Sequence, residues 1–153
     1  MNNFDFYNPT RIAFGEGKIA AIDTIEPADA KVLILFGGEC ARRTGTLGEV
    51  EAALGNRQVQ LFGGIEPNPS FETLMEAVTI VQRDGIDYLL AVGGGSVIDG
   101  TKFVAAASVF DGDAWDILLK GGTNIIASKR PFVDTRGVLT GITEMPATVM
   151  PAR

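Results

Sequence analysis

Histidine is absent from all 153 residues of the sequence, and this absence restricts its chemistry more than any other feature. Catalysis by a serine or cysteine nucleophile with a histidine base is excluded, and so is the commonest protein ligand of zinc and iron sites. A metal ion could be held only by carboxylates and carbonyl oxygens.

Cysteine and basic charge are also scarce. The single cysteine, Cys40, excludes an intrachain disulfide and a cysteine-rich zinc site, so we expect a reducing, cytoplasmic setting. With 13 basic against 19 acidic residues, the net charge of -6 opposes general binding to nucleic acid or anionic lipid. A phosphate site, if present, must therefore be local.

Long apolar runs are missing as well. None approaches the roughly 20 residues that a membrane span requires. The polar start, MNNFDFYNPT, lacks the basic end and apolar centre of a signal peptide. We expect no membrane partner.

Three short apolar runs alternate with segments of helical periodicity. The runs predict strands at 31–36 (KVLILF), 59–62 (VQLF) and 86–92 (IDYLLAV). Helices are predicted over 41–54, from Ser70 to Asp84, and over 97–109. This alternation predicts an α/β fold with a doubly wound, mainly parallel, Rossmann-like sheet.

The two ends of the chain follow other patterns. FDFYNPTRIAF, residues 4–14, has two aromatic-rich runs around Asn8-Pro9, which predict a small β-hairpin along the sheet edge. Beyond Asp111 the periodicity decays. We expect one α/β domain over residues 1–131 and a divergent tail over 132–153.

AVGGGSVIDGTK, residues 91–102, joins the third strand to the third helix. Ligands of open parallel sheets bind outside the carboxyl ends of strands, where glycines allow close backbone approach and helix amides attract phosphate. Ser96 could act as helix cap or as phosphate donor. The P-loop pattern fails because Lys102 comes one place late, and G-x-G-x-x-G fails because position 98 is Ile. A phosphate cradle and a structural turn both stay open.

Asp99 and Lys102 lie three residues apart in the predicted helix, on one face. They either form a surface ion pair of little energy or face the ligand cleft together.

Four blocks of the sequence together carry a family resemblance. They are TRIAFGEGKI at 10–19, FGGECARRTG at 36–45, FGGIEPNPSFETLMEAV at 62–78 and LLAVGGGSVIDGTKFVAAA at 89–107. In this order they resemble the amino-terminal half of the iron-dependent alcohol dehydrogenases, most closely the branch of NADP-dependent aldehyde reductases and butanol dehydrogenases. The resemblance implies a two-domain enzyme, with an NAD(P)-binding α/β domain followed by a helical domain that holds iron or zinc.

The resemblance also implies roles for individual residues. Gly94, Gly95 and Ser96 would bind the cofactor diphosphate, with Asp99 and Lys102 near the cleft. The residues beside the adenosine ribose would be Gly37, Gly38, Glu39 and Cys40. Val138, Leu139 and Thr140 fit the strand that leads toward the nicotinamide, and Thr140 is counted with the cofactor-binding residues.

Glu39 permits an inference about cofactor choice. A carboxylate accepts hydrogen bonds from a ribose 2′-hydroxyl and repels a 2′-phosphate, so we expect NAD(H) to be favoured over NADP(H). Arg42 and Arg43 could reverse this by pairing with the phosphate, and Glu39 could also be only a solvated turn residue.

The resemblance weakens near the end of the chain. The family continues with a segment like L-T-x-P-A-T-G-S-E, whereas residues 136–153 read RGVLTGITEMPATVMPAR, without Gly-Ser-Glu. A frameshift or truncation from about residue 132 is one hypothesis for this difference. The family's metal ligands, one aspartate and three histidines, belong to the helical domain, so we expect no catalytic residue, no metal site and no dehydrogenase activity from this chain alone.

A rival interpretation is a standalone, non-catalytic protein that binds nucleotides or self-associates. The face that the family covers with its second domain should then be apolar and exposed, which predicts a homodimer or another covering partner.

Overall fold

The computed structural model describes residues 11–12, 16–24, 28–121, 132–134 and 138–140. Its strands are β1 (Arg11–Ile12), β2 (Lys31–Phe36), β3 (Gln58–Phe62), β4 (Tyr88–Val92), β5 (Phe132–Asp134) and β6 (Val138–Thr140). Its helices are a 3-10 helix (Lys18–Thr24), α1 (Cys40–Arg43), α2 (Thr46–Leu54), α3 (Phe71–Asp84), α4 (Gly95–Ala107) and α5 (Trp115–Leu119). None of the described helices is both long and apolar enough to cross a membrane.

The described strands form one sheet in the order β1-β6-β5-β4-β2-β3. Neighbours from β5 to β3 are parallel, whereas β6 runs antiparallel to both β5 and β1. The chain passes from β2 outward to β3 and then returns past β2 to β4, so the direction of winding reverses between β2 and β4. This topology confirms the doubly wound, mainly parallel, Rossmann-like sheet.

Helices cover both faces of the central strands, which explains why β2 and β4 are continuous apolar runs. Alternate side chains of a strand point to opposite faces. Val32, Ile34 and Phe36 of β2 lie in one buried cluster, with residues of α2 and Ile22 of the 3-10 helix. Leu33 and Leu35 lie in the other, with residues of α3, α4 and α5.

Helix α3 confirms its sequence-based prediction at both ends. Ser70 caps it, its hydroxyl oxygen accepting a hydrogen bond from the Thr73 N–H at 3.2 Å. Gly85 ends it in a left-handed conformation, with φ 64°. The buried stripe that holds α3 on the sheet consists of Leu74, Ala77, Val78 and Val81.

Several predicted boundaries differ from the observed ones. The helix expected over 41–54 is two helices, because Gly45 adopts φ 79° between α1 and α2. The third strand begins at Tyr88, although the Asp87 N–H still donates to the Lys31 carbonyl of β2. The third helix is Gly95–Ala107, so it begins and ends two residues earlier than predicted, and β3 begins at Gln58, one residue earlier than predicted.

The terminal segments contribute three short strands at one side of the sheet. The first run of the predicted hairpin lies outside the described residues, and the second contains β1, which pairs with β6. Val138–Thr140 is a strand, as expected, but β5 was not predicted. Both β5 and β6 extend the sheet within the segment 132–153 that the sequence pattern set apart.

Candidate functional site

Two glycine loops meet where the winding reverses. Phe36, at the end of β2, pairs in register with Val92, at the end of β4, so Gly37 and Gly93 leave the sheet side by side. This carboxyl edge is where open α/β sheets form their ligand crevice. The structure therefore brings together the two groups of glycines that the sequence singled out separately.

A third loop, residues 63–70, lies against the first glycine loop. The Gly64 N–H donates to the Gly37 carbonyl at 3.1 Å, and the Ile65 N–H donates to the Phe36 carbonyl at 3.2 Å. Ile65 is buried, and a Cβ on Gly37 would lie 3.2 Å from the Ile65 oxygen. In the sequence, loop 63–70 was recognised only as part of a family block, although its place directly after a strand could have indicated a wall of the crevice.

The second glycine loop leads into the first turn of α4. Gly94 is the N-cap, with an extended backbone and no side-chain cap hydrogen bond. Ser96 lies inside the first turn, so its alternative role as helix cap is wrong. The first amides of a helix lack intrahelical acceptors and together carry roughly half a positive charge. Without a side-chain cap, they can bind an anionic group outside the helix.

The glycines at this site differ in what surrounds them. A Cβ on Gly93 would lie 2.7 Å from Cγ2 of Val97, and one on Gly100 would lie 2.8 Å from Cδ2 of Leu74. A Cβ on Gly38 or Gly95 would meet no atom within 4 Å. Gly93 and Gly100 thus allow close packing of α4, whereas Gly38 and Gly95 leave open space at the crevice.

Asp99 and Lys102 form the ion pair that their spacing predicted, with 3.7 Å between the Lys102 Nζ and the Asp99 Oδ1. The Asp99 side chain is 72% exposed and that of Lys102 is 30% exposed. An exposed pair at this spacing contributes little to stability. Lys102 is the more buried partner of the pair.

Glu39 is exposed in the turn between β2 and α1, directly after the first glycine loop. Cys40 is the first residue of α1, and the Arg43 N–H donates to the Glu39 carbonyl at 2.9 Å. The Arg42 guanidinium carbon lies 4.9 Å from the centroid of the Phe36 ring, a cation-π contact. One of the two arginines that could oppose Glu39 is therefore already engaged with an aromatic side chain.

Comparison with known proteins identifies the family. A family model described as iron-containing alcohol dehydrogenase matches residues 9–139. The chain belongs to this family. It is 53% identical over 127 residues to the NADPH-dependent aldehyde reductase YqhD of Escherichia coli, covering 82% of this chain and 33% of that protein. It is also 42% identical over 123 residues to the probable NADH-dependent butanol dehydrogenase 1 of Bacillus subtilis. That match covers 78% of this chain and 32% of the relative.

Solved structures of the iron-containing alcohol dehydrogenases share the fold. A crystal structure of Escherichia coli YqhD superposes with a TM-score of 0.83 at 50% identity, over 87% of this chain and 34% of that one. The crystal structure of NADH-dependent butanol dehydrogenase A of Thermotoga maritima superposes with a TM-score of 0.78 at 36% identity. The match covers 88% of this chain and 34% of that one. The chain thus has the fold of the amino-terminal domain of these relatives and spans about a third of their length.

Thr140 is the predicted site residue that the structure does not bring to the glycine loops. In β6 it pairs with Phe132 of β5, and Phe132 in turn pairs with Leu89, near the start of β4. Because β6 runs antiparallel to β4, its last residue lies toward the opposite edge of the sheet from Gly93. The other predicted site residues lie on the two glycine loops, at the start of α1, or between Gly95 and Lys102 of α4.

An iron site of the kind that the family name implies does not fit the residues at hand. The sequence has no histidine. Across the described ranges, no three residues of the types His, Cys, Asp and Glu come together in a way that could hold a metal ion.

Glu66 fixes the shape of loop 63–70. Its Oε1 accepts hydrogen bonds from the Ser70 N–H at 2.9 Å and from the Thr73 hydroxyl at 3.2 Å. The bond from the Ser70 backbone is the main reason why the pKa of Glu66 lies below the ordinary value of 4.5. The carboxylate thus holds the far end of the loop against the start of α3.

Glu66→Gln is expected to lower the thermal unfolding midpoint at pH 7 by removing this charge-assisted bonding. Because folding lowers the pKa of Glu66, its contribution is present above pH 4.5 and is lost as the pH falls through the folded-state value. The difference in thermal unfolding midpoint between the variant and the wild type should therefore become smaller at acid pH. Glu76→Gln, at an exposed position of α3, is the control. An equal difference at neutral and acid pH would contradict this account.

Proposed function

We propose that this chain is the nucleotide-binding unit of an iron-dependent alcohol dehydrogenase or aldehyde reductase, and that it binds a nicotinamide dinucleotide between the two glycine loops. The observation that carries the proposal is the uncapped start of α4 at the point where the winding reverses. Family membership supports it, since relatives are described as NADH- or NADPH-dependent.

The cofactor diphosphate is assigned to the first turn of α4. Gly94 and Gly95 are exposed and without side chains, and the amides that follow point out of the helix end. Ser96 adds a hydroxyl, and Lys102, on the next turn of the same helix, carries a positive charge that Asp99 offsets in part. This local positive potential is needed, because the net charge of -6 would otherwise repel an anionic ligand.

The adenosine ribose is assigned to Gly37, Gly38, Glu39 and Cys40, beside the diphosphate. The exposed Glu39 carboxylate can accept the ribose 2′-hydroxyl, and it would repel a 2′-phosphate. Arg42 is held over the Phe36 ring, and Arg43 is the other arginine that could pair with a 2′-phosphate. On these grounds we propose a preference for NAD(H) over NADP(H).

In the full-length enzyme the bound nicotinamide would donate or accept the hydride that interconverts an aldehyde and an alcohol. This chain contributes the binding and orientation of that cofactor. The family's three histidine ligands have no counterpart in a sequence without histidine, so we propose that the chain alone does not transfer hydride. The single cysteine supports the cytoplasm as its setting.

Titration with NADH and NADPH tests the proposal. The nicotinamide fluorescence of NADH should increase and saturate as the 153-residue chain is added, and NADPH should require a higher concentration of chain. AMP should compete with NADH, because it occupies the adenosine part of the same site. Failure of both dinucleotides to bind would overturn the proposed function, and tighter binding of NADPH would overturn only the preference.

The second candidate function is self-association. It is favoured by α5, where Trp115 is 46% exposed and Leu119 is 69% exposed, values that are high for large apolar side chains. We propose that a second copy or another partner covers this helix. Size-exclusion chromatography during the same titration separates the two candidates. A dimer that binds neither dinucleotide would favour self-association, and a monomer that binds NADH would exclude it.

A further inference from the structure

Loop 63–70 is anchored on both sides of its central residue, Asn68. On one side, Ile65 is buried and its N–H donates to the Phe36 carbonyl at 3.2 Å. On the other side, the Ser70 N–H is bound by the Glu66 carboxylate. Pro69 also packs near α4, since its Cγ lies 3.5 Å from the position of a Cβ on Gly100. The loop therefore has little freedom to move away from the glycine loops.

Between these anchors Asn68 adopts φ 54°, and within the described ranges it is the one residue other than glycine with a positive φ. Asparagine tolerates this left-handed conformation better than most residues, and β-branched residues tolerate it poorly. The conformation directs the Asn68 N–H to the Ser96 hydroxyl oxygen, at 3.3 Å. A backbone bond thus joins loop 63–70 to the first turn of α4.

The direction of this hydrogen bond determines what Ser96 can do. A backbone N–H can only donate, so the Ser96 oxygen is the acceptor, and the hydroxyl proton remains available for another acceptor. The partner that suits this proton, beside the uncapped amides of α4, is an anionic oxygen.

We propose that Asn68 is a positioning residue, whose left-handed backbone fixes the Ser96 hydroxyl as a donor to a phosphate oxygen of the dinucleotide. This inference rests on the proposed function and deepens it. It adds the middle of loop 63–70 to the site and assigns the direction of the Ser96 hydrogen bond. The asparagine side chain is not assigned a contact with the cofactor.

A set of four variants of the full chain tests this role, with the dissociation constant for NADH as the readout. Asn68→Gly keeps the left-handed conformation and should bind close to wild type. Asn68→Val opposes that conformation and should weaken binding by roughly tenfold, because the Ser96 hydroxyl loses its fixed position. Ser96→Ala should weaken binding by a similar factor, because it removes a hydrogen bond to a charged group. The double variant, Asn68→Val with Ser96→Ala, should bind no more weakly than Ser96→Ala alone.

The double variant distinguishes positioning from general damage to the loop. If the losses from Asn68→Val and Ser96→Ala multiply, or if Asn68→Val binds like wild type, the inference is overturned. Asn68→Ala is a milder change for the case in which Asn68→Val unfolds, and thermal unfolding of each variant is measured alongside. If the wild-type chain binds no NADH, the proposed function itself is overturned. If the wild-type chain and all variants bind NADH equally well, only the role of Asn68 is overturned.

Discussion

Gly93→Ala is expected to lower the free energy of unfolding by about 1 to 3 kcal/mol, the usual cost of overpacking, and to weaken NADH binding with it. A Cβ on Gly93 would lie 2.7 Å from Cγ2 and 3.2 Å from Cβ of Val97. Val97 is buried in α4 and, as a β-branched residue, keeps one rotamer in a helix. The strain must therefore move the start of α4, and the proposed diphosphate site moves with it. Chemical denaturation measures the loss of stability.

Gly95→Ala is the matched control for this prediction. It makes the same chemical change two residues away, where a Cβ would meet nothing within 4 Å. At the first position of a helix, alanine should leave the free energy of unfolding unchanged or raise it slightly. Equal losses of stability in the two variants would show that the close approach of Gly93 to Val97 does not set the position of α4.

The contrast between Gly93 and Gly95 could not be predicted from the sequence. GGGS indicates a close backbone approach, but three consecutive glycines look alike until the helix behind them is placed. The convergence of Gly37 and Gly93 was predictable in principle, because parallel strands end at the same edge of a sheet. The in-register pairing of Phe36 with Val92 places Gly37 and Gly93 next to each other.

Elements with strong local signals were predicted well. β2 matches its six-residue apolar run, and α3 matches its Ser70 cap and its stop before Gly85. The division of α1 from α2 was missed because it depends on the left-handed conformation of Gly45, which a glycine permits but does not require. The strand β5 was missed because three residues give no periodicity, and its place depends on pairing with the distant β4.

The part of the site that the sequence did not show depends on contacts between distant residues. Asn68 and Ser96 are 28 residues apart, and neither residue alone indicates that a hydrogen bond joins them. IEPNP was visible as a family block, but its prolines indicated only irregular structure. Its role as a wall of the crevice follows from the packing of Ile65 against the first glycine loop.

Glu39→Ser is expected to reverse the cofactor preference, shifting the ratio of NADPH to NADH affinity by roughly tenfold or more toward NADPH. Removing a carboxylate from beside a 2′-phosphate removes a repulsion of about 1 to 3 kcal/mol at a partly solvated site. NADH should bind more weakly at the same time, because the 2′-hydroxyl loses its acceptor. Relatives described as NADPH-dependent and as NADH-dependent occur in this family, so the fold accommodates both cofactors.

Glu51→Ser separates this local effect from a change in overall charge. It removes one negative charge from an exposed position of α2, away from the turn that holds Glu39. Its effect on the affinity ratio should be small and should disappear at high salt, because exposed distant charges are screened. The shift caused by Glu39→Ser should persist in part, since charges in direct contact are screened less. If both variants shift the ratio equally, net charge governs the preference and Glu39 does not read the ribose.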